Sequence, residues 1–169
     1  MSTNQDATLD LHFRLAREAD RPRLIPMINA AFAIETFLES TRTDEARLTA
    51  MMTKGSLLLA EDGAGNLIGS VYMEQRGSRG YLGMLAIDPA HQRFGLGRRL
   101  REAAEDHFRQ LGCEAIDITV LNLRPELPRI YRRFGYVETG TEPFVPSQPL
   151  KEGVVCHCIV MTKTLKGVD

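Results

Sequence analysis

Two glycines one residue apart, Gly95 and Gly97, separate a basic segment from a long helical pattern in the stretch HQRFGLGRRL. The first amides of a helix have no acceptor inside the helix, and the helix dipole is positive at that end. Glycines allow a ligand to approach the backbone closely, and they adopt dihedral angles that other residues resist. Arg93, Arg98 and Arg99 add positive charge to the same segment. The stretch therefore predicts an anion site, suited to phosphate, at a helix N-terminus.

Two common phosphate-binding motifs do not fit this stretch. A Walker loop ends in Gly-Lys-Ser/Thr, whereas Gly97 is followed by Arg98 and Arg99. A dinucleotide-binding fingerprint needs a third glycine or an alanine at the position of Leu100. For the loop considered alone, the alternative is a strand-to-helix turn whose glycines only make it tight.

The elements around the loop can be traced from the periodicity of the sequence. Three apolar runs, SLLLAED, NLIGSVYMEQ and GYLGMLAID, are separated by glycine-rich turns and predict an antiparallel meander that ends at Asp88 and Pro89. A strong amphipathic helix follows from Leu100 to Gly112, and a strand, AIDITVL, comes after it. A strand, a helix and a strand in this order predict a parallel pair with a right-handed crossover. The polar face of the helix is predicted to comprise Arg101, Glu102, Glu105, Asp106 and Arg109.

The flanking segments are less regular. Asp20 is predicted to cap a first helix with Pro22 in its first turn, and Thr43 to cap a second helix. A short helix around residues 127–134, a strand from Tyr136 and a last strand, GVVCHCIVMTK, complete the chain. The apolar part of that last strand, VVCHCIVM, would need cover if it formed an exposed edge, which would be consistent with a homodimer.

Composition limits the class of protein. With 169 residues and 43% hydrophobic side chains, the chain can bury one core, so we expect one domain over residues 10–169 after a flexible start over residues 1–9. The polar start lacks the features of a secretory signal and no apolar run nears the length of a membrane span, so we expect a cytoplasmic protein that binds no membrane. Three cysteines at spacings that match no zinc pattern predict neither a metal site nor a disulfide framework.

Nucleic acid is not an expected partner. A formal net charge of -1 gives no general attraction to it. The cluster of Arg124, Arg129, Arg132 and Arg133 is basic, but it lacks interleaved exposed aromatic residues, and the acidic face of the long helix opposes binding of nucleic acid.

The loop and its surroundings resemble a known family. Gln92, Gly95 and Gly97 match the pattern Gln/Arg-x-x-Gly-x-Gly/Ala that opens the cofactor helix of the GCN5-related N-acetyltransferases (GNAT). The segments YLGMLAIDPAHQRFGLGRRLREAAEDHFRQLGC and IDITVLNLRPELPRIYRRFGY look like that family's central strand, cofactor helix, fifth strand and fourth helix. The resemblance covers residues 56–139 well and the flanks in element order only.

The resemblance implies a fold and a cofactor. The fold would be α/β (α+β): a mixed, mostly antiparallel sheet of about seven strands flanked by about four helices, with a splayed parallel pair at strands 4 and 5. The cofactor would be acetyl-CoA, with its pantetheine arm along the backbone of the fourth strand and its pyrophosphate on the amides of the glycine loop. The residues so implied in cofactor binding are Leu85, Ala86, Ile87, Gln92, Arg93, Phe94, Gly95, Leu96, Gly97, Arg98 and Asn122.

Two polar residues after the fifth strand resemble functional residues of the family. Tyr131 is similar to the tyrosine that protonates the leaving thiolate, and the alternative is a tyrosine that packs in the core. Asn122 is similar to an asparagine that faces the pantetheine, and the alternative is a turn residue. The two stand nine positions apart here rather than about seven, which predicts that the fourth helix begins late, near Pro128.

The general base is not settled by the resemblance. Many members place a glutamate early in the fourth strand, at or beside Tyr81 here, and residues 77–87 contain no carboxylate. Other candidates are Glu35, Glu39, Glu74 and His157. Glu35, Glu39, Asp44 and Glu45 would give the mouth of the pocket a negative charge that suits a cationic amine.

The function implied is direct transfer of an acetyl group from acetyl-CoA to a primary amine in a ternary complex. The acceptor stays open between a small amine, a peptide N-terminus and a lysine side chain. The alternative function is a degenerate member that binds acyl-CoA as a sensor or scaffold without turnover.

Overall fold

The computed structural model describes residues 9–92, 95–144 and 149–165 of the chain. Its strands are β1 (His12–Leu15), β2 (Ser56–Glu61), β3 (Leu67–Arg76), β4 (Arg79–Ile87), β5 (Ala115–Leu121), β6 (Val137–Pro143) and β7 (His157–Thr164). Its α-helices are α1 (Arg21–Ala31), α2 (Glu45–Lys54), α3 (Leu96–Gln110) and α4 (Glu126–Arg133), with short 3-10 helices at Glu18–Asp20 and Pro89–His91.

All seven strands belong to one sheet in the order β1-β2-β3-β4-β5-β7-β6. Only β4 and β5 pair in parallel among the described strands, and α3 is the crossover between them. The mixed sheet with a parallel pair at strands 4 and 5 is therefore confirmed. In β5 the side chains of Ile116, Ile118 and Val120 are buried while Asp117 and Thr119 are half-buried, as the alternation predicts.

The core has one cluster on each face of the sheet. On one face α3 buries Leu96, Leu100, Ala104 and Phe108 against β2, β3 and β4. On the other face α1 and α2 cover the sheet with residues that include Leu24, Ile28 and Leu48. The strand that leads into the glycine loop is thus held between helices on both faces, which fixes the place of the loop.

Several predicted boundaries are wrong by a few residues. The cap of α2 is Asp44, whose carboxylate accepts from the amide of Arg47 at 2.8 Å, whereas the amide of Thr43 donates to Asn29. Asp20 precedes α1 but makes no cap hydrogen bond with its side chain. Helix α4 begins at Glu126, with Pro125 as its cap, so the late start near Pro128 is wrong: a proline is tolerated within the first turn of a helix.

The polar face predicted for α3 is also wrong in part. Arg101 and Glu105 are 3% and 1% exposed because β7 and the segment after α4 pack over them. Glu105 accepts hydrogen bonds from Arg101 at 2.5 Å, from the Tyr136 hydroxyl at 2.8 Å and from Lys163 at 3.1 Å. The buried charges therefore compensate one another.

The last strand is not left as an exposed edge. Strand β7 lies between β5 and β6, so its backbone is paired on both sides. The edge strand on this side of the sheet is β6, which is exposed along its length and polar, with Glu138 and Glu142. The condition on which an apolar edge would favour a homodimer is therefore not met, and the homodimer stays a prediction. In the part of the chain that the structure describes, no helix is long and apolar enough to cross a membrane.

Candidate active site

The parallel strands β4 and β5 separate halfway along their length. They pair from Arg79 opposite Ala115 to Leu82 opposite Ile118, and beyond that point residues 83–87 and 119–121 continue without pairing to each other. The Tyr81 hydroxyl and the Thr119 hydroxyl are 3.0 Å apart and form a hydrogen bond where the two strands diverge. The result is a gap between two strands whose backbone groups can pair with an extended ligand.

Strand β4 is irregular beside this gap. Met84 has a φ of 49°, in the left-handed region that non-glycine residues rarely adopt, and the pairing of β4 with β3 shifts register there. A bulge of this kind bends the strand and changes which way its side chains and amides point.

The glycine loop uses its two glycines for different reasons. Gly95 is the N-cap of α3 with a φ of 65°, and a Cβ added to it would meet nothing within 4 Å. It is therefore required for its backbone conformation. Gly97 is helical, and an added Cβ would lie 3.7 Å from Ile87 and 4.0 Å from Leu85, which is ordinary contact. Packing within the protein thus does not require a glycine at position 97.

A cavity of about 510 Å³ joins the loop to the gap between β4 and β5. Its volume is that of a typical ligand pocket. Its walls come from the loop, the divergent ends of β4 and β5, α4 and the end of α1. They include Gln92, Gly95, Gly97, Arg98, Leu85, Ile87, Thr119, Leu121, Tyr131, Glu35, Arg42 and Arg124. The Gln92 side chain donates to the carbonyl of Ile87 at 3.2 Å, so it ties the loop to the end of β4.

Tyr131 lies on this cavity from the side of α4. Its ring packs edge to face on Tyr136, with ring centroids 5.5 Å apart. Burial raises the pKa of the Tyr131 phenol, and the charges of Arg101 and Arg124 act in the opposite direction. Arg101 also lines the cavity, stacks over Phe134 at 4.0 Å and has a buried Nε without a hydrogen-bond partner among the described residues.

Glu35 lies at the end of the cavity remote from the loop and is 8% exposed. Its Oε2 accepts a hydrogen bond from Arg124 at 3.0 Å. Its Oε1 is 4.0 Å from Nε of Arg42, beyond hydrogen-bond distance, and neither atom has a hydrogen-bond partner among the described residues. Both carboxylate oxygens of Glu35 therefore lie next to arginines, Oε2 in a hydrogen bond with Arg124 and Oε1 in a longer ion pair with Arg42.

A second cavity, of about 350 Å³, lies between α2 and the sheet and contains two more of the predicted residues, Glu74 and Tyr81. Glu74 accepts from Arg76 at 2.9 Å and from the Tyr72 hydroxyl at 2.7 Å. These hydrogen bonds lower the pKa of Glu74. Glu74 therefore already accepts a hydrogen bond at each carboxylate oxygen, which opposes its protonation.

The other predicted residues that the structure describes are not part of the cavity lining. The side chains of Ala86 and Leu96 are buried in the two core clusters. Asn122 accepts from the amide of His157 at 2.9 Å and so joins the end of β5 to the start of β7, while the His157 side chain is exposed and lines neither cavity. Arg93 and Phe94 lie outside the described residues.

Four lining residues, Arg42, Arg101, Thr119 and Arg124, were missed by the sequence reasoning. For Arg42 and Arg101 the sequence offers no signal beyond the charge itself. For Thr119 the sequence did offer a signal. It alternates with buried isoleucines on β5 and therefore lies on the opposite face of the sheet from them.

Comparison with known proteins places the chain in one family. Residues 25–147 match the family model described as an acetyltransferase (GNAT) domain. Mycothiol acetyltransferase of Propionibacterium freudenreichii subsp. shermanii is 30% identical over 148 residues, which cover 83% of this chain and 46% of that protein. Glucosamine 6-phosphate N-acetyltransferase 1 of Oryza sativa subsp. japonica is 30% identical over 112 residues, which cover 62% of this chain and 66% of that protein.

Solved structures show the same fold. Spermidine N-acetyltransferase from Vibrio cholerae, in complex with CoA and spermine, superposes with a TM-score of 0.70 at 20% identity, over 92% of this chain and 95% of that one. The chain spans about half the length of the mycothiol enzyme that it resembles. With the family model matched over most of the chain and the parallel strands diverging beside a glycine loop, the protein belongs to the GNAT family of acetyl-CoA-dependent N-acetyltransferases.

Proposed function

We propose that this chain transfers the acetyl group of acetyl-CoA directly to a primary amine. The observation that carries the proposal is that one cavity brings together the glycine loop, the gap between β4 and β5, Tyr131 and Glu35. These are the parts that a direct transfer needs: an anion site, an extended groove, an acid for the leaving group and a base for the amine.

The residues present fit acetyl-CoA. The N-terminus of α3, with Gly95, Gly97 and Arg98 on the cavity, suits the pyrophosphate, because its free amides and dipole favour an anion. The amide-bearing pantetheine arm suits the gap, where Leu85 and Ile87 offer backbone groups on β4 that β5 no longer pairs. When bound, acetyl-CoA supplies an acetyl thioester, whose carbonyl is activated for attack by an amine.

Tyr131 would protonate the sulfur as the carbon–sulfur bond breaks. A phenol with an ordinary pKa near 10 is a weaker acid than a thiol near 8.5, so the transfer is uphill by roughly 2 kcal/mol for unperturbed groups. Burial, which raises the pKa of Tyr131, acts in the same direction on a thiol bound beside it. The guanidinium groups of Arg101 and Arg124 stabilise negative charge on either partner.

Glu35 is the best-placed base among the candidates. An amine attacks only with a free lone pair, so a proton must leave the nitrogen as the new carbon–nitrogen bond forms. Glu35 lines the cavity and its Oε1 accepts no hydrogen bond from the described residues, while Arg124 holds Oε2 and fixes the side chain. Glu74 is bonded at both oxygens, Tyr81 is bonded to Thr119, and His157 lies away from the cavity.

The test is turnover of acetyl-CoA with a panel of primary amines, read as acetylated product by mass spectrometry. The relatives named above carry the names of mycothiol, glucosamine 6-phosphate and spermidine, so the panel should include amines of these kinds. Glu35→Gln should lower kcat at least about a hundredfold, the usual contribution of a general base. Glu39→Gln is the matched control, because Glu39 is exposed and lines neither cavity.

Two outcomes would contradict the proposal. Binding of acetyl-CoA without turnover of any amine would favour the sensor function over catalysis. Turnover that Glu35→Gln leaves intact would keep the activity and remove Glu35 as its base.

A further inference from the structure

The second cavity opens beside the end of the first. It lies between α2 and strands β3 and β4, and the two cavities share two lining residues, Arg42 and Met84. Met84 is the residue of positive φ at the bulge in β4, so the bulge forms part of the wall between them. An acceptor whose amine lies at Glu35 can therefore extend past Arg42 into the second cavity.

The second cavity is lined by more basic than acidic side chains. Helix α2 presents Arg47 and Lys54, seven residues apart on one face, and Arg42 adds a third positive charge. Glu74 is the one acidic residue on its described lining, and it is already bonded to Arg76 and Tyr72.

The acids near this cavity are all matched by basic partners. Glu35 is held by Arg124, Asp44 pairs with Arg47, and Glu74 pairs with Arg76. The side chain of Lys54 forms no hydrogen bond or ion pair among the described residues, and its charge helps to lower the pKa of Glu74 on the same cavity. The cavity therefore has an excess of positive charge. The negative charge that the sequence predicts for the mouth of the pocket does not extend to this cavity.

We propose that the acceptor carries an anionic group, a phosphate or a carboxylate, in addition to its amine, and that this group binds in the second cavity on Lys54, Arg47 and Arg42. The proposal rests on the proposed function, because it assumes that the amine is acetylated at the end of the first cavity. Arg42 lines both cavities, so its guanidinium group can donate to an acceptor that spans them. A bound anion would offset the excess charge through charge-assisted hydrogen bonds.

The test compares amines that differ only in the anion. Phosphoethanolamine is paired with ethanolamine, and 4-aminobutyrate with butylamine, each at saturating acetyl-CoA. The charged member of at least one pair should have a kcat/KM about tenfold higher, the effect of one hydrogen bond to a charged group. The pair that shows the preference identifies phosphate or carboxylate as the anion.

A substitution on α2 assigns the preference to the cavity. Lys54→Met should lower the preference about fivefold, since an exposed charge contributes little more than that, and should raise KM for the amine but not for acetyl-CoA. Lys54→Arg is the matched control and should keep the preference because it keeps the charge. Lys54 is exposed on the last turn of α2, so neither change should impair folding.

The two proposals fail in different ways. Turnover with equal kcat/KM for charged and neutral amines, or a preference that Lys54→Met leaves unchanged, overturns the anionic acceptor and leaves acetyl transfer standing. Failure to acetylate any amine of either panel, while acetyl-CoA still binds, overturns the proposed function and the anionic acceptor with it.

Discussion

Gly95→Ala and Gly97→Ala should have opposite effects on the stability of the free protein, although the two positions are one residue apart. At Gly95 an alanine would have to keep a φ of 65°, which costs a residue with a Cβ roughly 1–2 kcal/mol. At Gly97 the added methyl group would make ordinary contacts at 3.7 Å and 4.0 Å, and alanine favours a helix over glycine by up to about 1 kcal/mol. The two variants should therefore differ by about 2 kcal/mol in the free energy of unfolding.

Gly97→Ala should weaken the binding of acetyl-CoA, although it should not destabilise the free protein. Its methyl group would stand on the cavity wall beside Leu85 and Ile87, where the backbone must be approached closely. The wild type should gain ~2.7 kcal/mol of stability from acetyl-CoA at a hundred times its dissociation constant. Gly97→Ala should lose most of this gain while its free form is as stable as the wild type or more so.

Thermal unfolding with and without acetyl-CoA measures both effects, and about 2 kcal/mol corresponds to roughly 4–8 °C in Tm for a domain of this size. Gly140→Ala is the control, because Gly140 lies on the exposed strand β6 with nothing near its would-be Cβ. The reasoning is refuted if Gly97→Ala binds acetyl-CoA like the wild type, or if it unfolds more easily than Gly95→Ala without ligand.

Three further predictions concern the acid, the buried charges and pH. Tyr131→Phe should lower kcat at least about tenfold while KM for acetyl-CoA stays the same, and an unchanged kcat would exclude Tyr131 as the general acid. Glu105→Gln should destabilise the protein by about 3 kcal/mol in urea unfolding, because it leaves the Arg101 charge buried without its partner; a loss below about 1 kcal/mol would contradict this. Hydrogen bonds from arginines hold the pKa of Asp20 and of Glu61 below their usual values, so the stability that they add is present at neutral pH and is lost as the pH falls below about 4. The free energy of unfolding, measured in urea, should be lower at pH 3 than at pH 6 by more than about 1 kcal/mol, and Asp20→Asn should reduce this difference.

The elements that surround the glycine loop could be predicted from the sequence because each has a local signal. The alternation in β5, the helical spacing in α3 and the turns between the strands of the meander all depend on neighbours within a few residues. These signals, with the glycine pattern, were enough to predict a strand that leads through a glycine loop into a helix.

The buried side of α3 could not be predicted in the same way. Arg101 and Glu105 have the spacing of a solvated ion pair on a helix, and nothing local distinguishes them from Arg98 and Glu102, which are exposed. Their burial depends on Tyr136 and Lys163, which come from far along the chain.

The base was uncertain for a related reason. Glu35 and Arg124 are 89 residues apart in the sequence and become partners only when the end of α1 meets the segment after β5. Asn122 is the opposite case. It follows β5 directly in the sequence, but its side chain bonds the first residue of β7 and does not line the cavity.

The separation of β4 from β5 makes the central sheet incomplete over five residues of β4. A ligand that binds in this gap binds only the folded protein. It therefore increases the free energy of unfolding in proportion to the logarithm of its concentration. Proteases that cleave transiently opened chains then meet fewer of them. The lifetime of this protein in a cell should consequently increase with the concentration of acetyl-CoA, and so should its abundance.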